Sequence, residues 1–250
     1  GSEMCIRDSN CIMNGASDFS LDNRLALCAD FVRDGAKVAD IGTDHAYLPV
    51  WLCRIGRCDT AIAADINPLP LERGIETINN SGLNNRIEAR LSNGLEKISG
   101  DEADDIVIAG MGGELISQII ENWEFSKDRS KHFILQPMTK SEELMRWLFA
   151  NGFSVIKRDC CTAANKCYTV ILAEYSGEVR TVSESDLFLY GLDPKNNSMH
   201  RRFIEGCVRR LLKQAKGNSV CAETARILEE SFKLSLIHIS EPTRHLRISY

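Results

Sequence analysis

The sequence predicts an α/β protein: a mostly parallel, doubly wound sheet followed by a C-terminal antiparallel helical hairpin. Three observations carry that expectation. Seven short apolar runs alternate with helical stretches until the last two, which a short loop joins, so the sheet ends in an antiparallel element. The first run, Val38-Ala-Asp-Ile-Gly42, stops at a single glycine with polar residues gathered just beyond it, and ligands of open α/β sheets sit at such strand ends. After Gly191 and Pro194, apolar residues recur in steps of four, the period of a packed helix.

Taken in order, the chain opens with a lead-in helix, where Leu21, Leu25, Cys28 or Ala29, and Val32 share a face, with Ser20 as N-cap and Gly35 as stop. Lys37 to Ile41 is the first strand, and Ala46 to Ile55 the helix behind the Gly42 turn. The turn is not a G-x-G-x-x-G fingerprint, because Asp44, His45 and Tyr47 stand where further glycines would be. Thr60 to Asp65 is a small-residue strand ending in an acid, about twenty residues past the glycine, the place for a carboxylate that accepts ribose hydroxyls. A helix over 70–80 with Gly82 as C-cap follows, then a strand over 87–91, and Asn93-Gly94 opens a short helix through Ile98. Asp105 to Met111 is a buried strand by its continuous apolar run, and Gly112-Gly113 starts a helix through Trp123. His132 to Pro137 repeats the design, Ser141 to Asn151 is helical, and Ser154 to Cys160 and Tyr168 to Tyr175 are the last two strands. The hairpin then places Met199, Phe203, Cys207, Leu211 and Ala215 on one helix and Val220, Thr224, Ile227 and Phe232 on the next, with Gly217-Asn218 between.

Composition sets outer limits. With 250 residues, 44% hydrophobic and 26% charged, the chain can bury one substantial core and carry a small appendage. Its apolar runs fall short of the roughly 18 to 20 residues of a membrane span, and no basic-then-apolar leader opens it, so a cytoplasmic protein without a membrane role is expected. The ten cysteines form no CxxC pair and no ligand cluster with histidine, so reduced, buried thiols and no metal site are expected. Residues 1–12 and 235–250 resemble translated adapter sequence and are expected to be non-native tails, with a native start near Met13 and a truncated C-terminus.

The order V-A-D-I-G-T-D-H-A-Y-L-P, A-A-D-I-N-P, S-N-G-L-E, I-A-G-M-G-G, L-Q-P and N-K-C-Y-T-V-I-L-A-E resembles the bacterial tRNA (adenine-N1)-methyltransferases that modify adenine 22 of tRNA, over roughly residues 20 to 234. The resemblance implies a seven-stranded class I methyltransferase (Rossmann-like) fold, S-adenosylmethionine as cofactor, tRNA as partner, and a hairpin that grips tRNA. It divides the chain into a cofactor-binding catalytic part, 13–178, and a tRNA-binding hairpin, 179–234. It places Asp40 and Gly42 at the methionine end of the cofactor, Asp65 and Ile66 at its ribose, and Asn93 and Gly94 at its adenine. Asn93 stands where the family has an acid, and its carbonyl oxygen keeps an acceptor without the charge. Ala109, Gly110, Met111, Gly112 and Gly113 wall the cofactor from the incoming base. This wall is not the Asn/Asp-Pro-Pro-aromatic loop of amino-group methylation, which argues against an N6 product. Gln136 and Pro137 are implied to meet substrate, and Met138 stands where the family has asparagine.

Adenine N1 already carries an in-plane lone pair, so its methylation needs alignment more than deprotonation, and N1 lies on the pairing edge, so the base must leave its stack. Tyr47 is the candidate stacking surface, Asp44 the candidate stabiliser of the cation left on the base, and His45 the candidate partner of Asp44 or handler of the exocyclic proton. Each has a plainer reading, with Asp44 capping the following helix, His45 satisfying backbone and Tyr47 in the core. From Arg180 to Leu234 there are 10 Lys/Arg against 7 Asp/Glu on a chain of net charge -5. Arg201, Arg202, Arg209 and Arg210 are therefore candidate phosphate contacts, against the alternative of a solvated helix face. Methylation of a small molecule and RNA binding without catalysis are the competing functions. The oligomeric state stays open, with a monomer slightly favoured.

Overall fold

The structure is a computed structural model that describes residues 20–233. The expected non-native tails, 1–12 and 235–250, and the expected start near Met13 lie outside these residues. Seven strands form one sheet in the order β3-β2-β1-β4-β5-β7-β6. They are β1 (Val38–Ile41), β2 (Ala61–Asp65), β3 (Ile87–Leu91), β4 (Asp105–Gly112), β5 (His132–Thr139), β6 (Phe153–Ala163) and β7 (Lys166–Tyr175). The first five are parallel, and β7 runs antiparallel to both β5 and β6. The order reverses between β1 and β4, so a crevice opens beyond their carboxyl ends, the usual ligand position in such sheets.

Two layers of helices cover the sheet, and the two-residue period of the strands decides which layer each side chain meets. Val38, Ala61, Ala63, Val107 and Ile134 pack under α1 (Asn23–Phe31), α2 (Tyr47–Arg54) and α3 (Pro68–Ser81). Ala39, Ile41, Ile62, Ile106, Ile108 and Phe133 face α4 (Gly113–Glu121), α5 (Ser141–Ala150), α6 (Glu184–Leu189) and the hairpin α7 (Ser198–Gln214) and α8 (Ser219–Glu230). Phe203, Ile204 and Leu211 of α7 and Ala225 and Leu228 of α8 belong to the same apolar cluster as the sheet.

Polar bonds fasten the C-terminal helices. The buried Arg158 of β6 donates through Nη1 to the carbonyls of Leu187, Phe188 and Tyr190 at 3.1–3.3 Å and through Nε to Thr169 Oγ1 at 3.0 Å. His200 accepts from the backbone N–H of Asp193 at Nδ1, which leaves the proton on Nε2 to donate to Asp159 at 2.9 Å.

Local departures from the sequence expectations have simple causes. The first helix is capped by Asp22, not Ser20, because the Asp22 carboxylate accepts from the N–H groups of Arg24 and Leu25, and it ends at Phe31, before Gly35. No helix follows Asn93-Gly94: Gly94 takes φ 56, outside the right-handed helical region, and the segment closes instead through i to i+3 bonds, Glu96 N–H to Asn93 and Ile98 N–H to Leu95. The last two strands are longer than expected and meet in a two-residue turn with Ala164 and Asn165 at φ 47 and 63, the twist that matches a tight β-hairpin. The six-residue α6 was not anticipated.

Candidate active site

The site forms where β1 turns. Beyond Ile41, Gly42 and Thr43 both donate their N–H groups to the Ala64 carbonyl, at 2.8 and 3.0 Å. Gly42 has φ +79, so the turn itself favours glycine, while a Cβ there would meet only the flexible end of the Met111 side chain. Thr43 Oγ1 accepts from the Ala46 N–H, and Ala46, at φ 53, leads into α2 without any side-chain cap. Asp44 therefore does not cap this helix. Around the turn lies a cavity of about 430 Å³, lined by Asp40, Asp44, His45, Tyr47, Gly110 and Met111 among others, within the range of small-molecule and cofactor sites.

Asp40 is buried in this cavity, and burial pushes its carboxyl up to about 6, with repulsion from Asp65 adding to the effect and a hydrogen bond from Thr43 opposing it. A buried carboxylate without a cation is suited to a cationic ligand group. Asp65 ends the neighbouring strand; one of its oxygens accepts from the Asn67 N–H at 2.7 Å, and Ile66 beside it is 58% exposed. Asn93 is exposed and gives its amide to Glu96 at 2.7 Å, so its carbonyl remains as the acceptor. Asn93 borders a separate cleft of about 160 Å³ with Leu115, Gln118 and Ile119. Of the cofactor residues expected from the sequence, Asp40, Gly42, Ala109, Gly110 and Met111 line the main cavity, and Asp65, Ile66, Asn93, Gly94 and Gly112 stand outside it.

Asp44 is exposed. Its Oδ1 meets Arg73 Nη1 at 3.0 Å, and its Oδ2 lies 3.5 Å from His45 Nε2. His45 stacks on Tyr47, ring centroids 5.0 Å apart and planes at 8°, so each ring covers a face of the other, and both line the cavity with Tyr47 exposed. Tyr47 is not in the core. Across the cavity, β4 carries Ala109, Gly110 and Met111 past a register shift against β5. Gln136 is fully buried and accepts the Gly110 N–H at Oε1, 3.1 Å, while its amide donates to the Pro137 carbonyl at 3.0 Å. It fastens the wall from behind and does not face the cavity.

A second cavity, about 370 Å³, runs between the ends of β5 to β7 and α7, lined by Lys140, Lys166, Arg202, Arg209 and Arg210 together with Pro137, Met138 and Tyr168. Of the four arginines singled out in the sequence, Arg209 is exposed and makes no ion pair or hydrogen bond among the described residues, and Arg202 makes one long contact, 3.5 Å, to the Asn165 carbonyl. The other two have structural partners. Arg201 holds the carbonyls of Pro194 and Lys195 and does not line the groove; Arg210 pairs with Glu142 of α5 at 2.9 Å. Sequence reading missed Arg24, Thr43, Arg73, Lys140 and Lys166. Thr43 lies beside recognised residues and bonds locally to Ala46, whereas Arg24 and Arg73 reach site residues distant in sequence, which no local spacing reveals. Among the described residues no group of His, Cys, Asp and Glu could hold a metal ion, and no helix is long and apolar enough to cross a membrane.

A family model described as Methyltransferase domain matches residues 21–171, more than half of the chain. The tRNA (adenine(22)-N(1))-methyltransferase of Bacillus subtilis is 37% identical over 158 residues, 63% of this chain and 66% of that protein, so the match spans just under two thirds of its length. A Streptococcus pneumoniae protein solved in complex with S-adenosyl-L-methionine superimposes with a TM-score of 0.77 at 29% identity, over 86% of this chain and 100% of its own. M. capricolum TrmK, solved with S-adenosyl-homocysteine, its natural cofactor product, gives a TM-score of 0.69 at 25% identity, over 84% and 96% of the two chains.

Proposed function

Because the chain belongs to the methyltransferase-domain family, we propose that it transfers the methyl group of S-adenosylmethionine to N1 of adenine 22 in tRNA, in the cytoplasm. The observation that carries this reading is the cavity at the β1–β4 crevice, which joins a buried carboxylate suited to a cation, Asp40, to an exposed carboxylate and a stacked aromatic pair, Asp44 with His45 and Tyr47. The identity to the Bacillus subtilis enzyme supplies the base and the position.

The residues present fit the cofactor. Asp40 would hold the ammonium of its methionine part, the free oxygen of Asp65 its ribose, Ile66 a face of its adenine and the Asn93 carbonyl the adenine amino group. When bound, it supplies an electrophilic methyl on a sulfonium that departs as a neutral thioether. The protein has then to align and to stabilise. Tyr47, braced by His45, stacks the unpaired adenine; the Gly110-Met111 wall fixes how closely it approaches; and the N1 lone pair forms the new bond without loss of a proton. The adenine leaves that step cationic, and Asp44, freed from an exposed ion pair with Arg73 worth at most about 1 kcal/mol, faces the charge. Phosphates of the tRNA lie along the basic groove, on Arg202, Arg209 and Lys166.

Incubation with labelled S-adenosylmethionine and unmodified bulk tRNA, followed by digestion to nucleosides, should yield 1-methyladenosine. Label in free small molecules alone, or RNA binding without transfer, would replace this reading with one of its competitors.

A further inference from the structure

Arg24, in the first turn of α1, lines the cofactor-side cavity, yet its contacts reach into the basic groove. Its Nη1 donates to Gln136 Oε1 at 3.4 Å and to Met138 Sδ at 3.1 Å, and its guanidinium lies 5.6 Å from the centroid of the Tyr168 ring. Met138 and Tyr168 are walls of the groove. On the other side, the Gln136 oxygen that Arg24 holds is the one that accepts the Gly110 N–H. A continuous line of bonds therefore runs from the groove through Arg24 and Gln136 to the wall that the incoming base meets. Asp22 steadies the far side of the guanidinium, at 2.5 Å from Nη2, while capping α1.

We propose that Arg24 is a positioning residue that links the seating of RNA in the basic groove to the placement of the Gly110-Met111 wall. The inference rests on the methyltransferase reading above. The forked guanidinium is essential to it, because one head must hold an amide oxygen, a thioether and a carboxylate at once, and a lysine ammonium lacks that planar spread. RNA that presses on Met138 and Tyr168 shifts the partners of Arg24, and through Gln136 the peptide N–H of Gly110 follows.

The test compares R24M and R24K with the parent protein. R24M should keep S-adenosylmethionine affinity within about threefold and lose about tenfold or more in single-turnover methylation of tRNA with both ligands saturating, since the defect lies in placement and not in occupancy. R24K, which keeps the positive charge, should bind tRNA as the parent does but not recover the rate. In either variant, exchange of the Gly110 amide hydrogen should quicken by about tenfold, because its acceptor is no longer held. A purely structural role would lower melting temperature but leave the saturated rate of the folded protein unchanged. Rates within about threefold of the parent in both variants, or a loss confined to cofactor affinity, overturn the proposal. If R24M does not fold, R24K decides. If the parent itself does not methylate tRNA, the functional reading fails, and the Gly110 exchange still reports whether Arg24 holds the wall.

Discussion

Asp40 keeps its proton up to about pH 6 because burial penalises the charged form and Asp65 adds repulsion. The unfolded chain loses that proton near pH 4. Between those values the folded state binds more protons than the unfolded one, so stability should fall as pH rises from about 4 to 6 and then level off, a loss of about 3 kcal/mol. Urea unfolding across that window should show the fall in the parent and its absence in Asp40→Asn. A bound ammonium group reverses the preference, so S-adenosylmethionine affinity should be greatest near pH 7 and weaken toward tenfold per unit below 6; a pH-independent affinity by calorimetry would take Asp40 out of the methionine site. Asp44 poses a different question. The sequence left it between a helix cap and a charge stabiliser, and α2 begins without a side-chain cap while Asp44 pairs with Arg73. Asp44→Asn keeps shape and an acceptor, so it should fold normally yet lose about a hundredfold or more in single-turnover rate. A loss under about threefold with saturating cofactor would place the charge role elsewhere. The positions of Gly42, just after β1, and Asp65, at the end of β2, were legible from the strand endings, and Asp40 lies one residue before the end of β1. Arg24 and Arg73 were not, since their partners lie 112 and 29 residues away.

At the scale of elements, periodicity found what it can find. The steps of four located α7 and α8, and alternation of runs located every strand, because burial on a packed face imposes those periods directly. The six residues of α6 are too few to show a period, and the left-handed Gly94 rules out the helix that Asn93-Gly94 was expected to open. The same limit governs the arginines of α7. Spacing puts Arg201, Arg202, Arg209 and Arg210 on one helix but says nothing of their partners: Arg201 and Arg210 are held by bonds, Arg210 while lining the groove, whereas Arg202 and Arg209 line it with at most one long contact. Arg202→Gln with Arg209→Gln should weaken tRNA binding and reduce its salt dependence by about 0.7 to 0.9 log units per lost phosphate contact, with cofactor affinity unchanged. Arg201→Gln and Arg210→Gln should act on stability and leave the salt slope almost as it was. An unchanged slope in the variant that carries both Arg202→Gln and Arg209→Gln would mean that the groove does not carry the RNA backbone.

For the whole molecule, the expected division at residue 178 cuts through a single apolar cluster. Ile204 of α7 and Leu228 of α8 are fully buried in the cluster that holds Phe133, Leu148 and Phe149, and His200 and Arg210 tie α7 to Asp159 of β6 and Glu142 of α5. We expect the hairpin and the sheet to unfold together, for neither can shed the other without exposing that core to water. The three tryptophans, Trp51, Trp123 and Trp147, all lie before residue 178, so their fluorescence reports the sheet and its helices and not the hairpin. Ile204→Ala removes a buried side chain from the hairpin alone, a change that costs about 2 to 5 kcal/mol where the surroundings cannot collapse. In one cooperative unit that loss must appear in the tryptophan signal, lowering the urea midpoint without changing the slope. Two units would instead leave the tryptophan transition where it was and add an earlier one by circular dichroism at a helical wavelength. An unmoved tryptophan midpoint in Ile204→Ala would therefore restore the boundary, and with it the possibility that the catalytic part folds and binds cofactor alone.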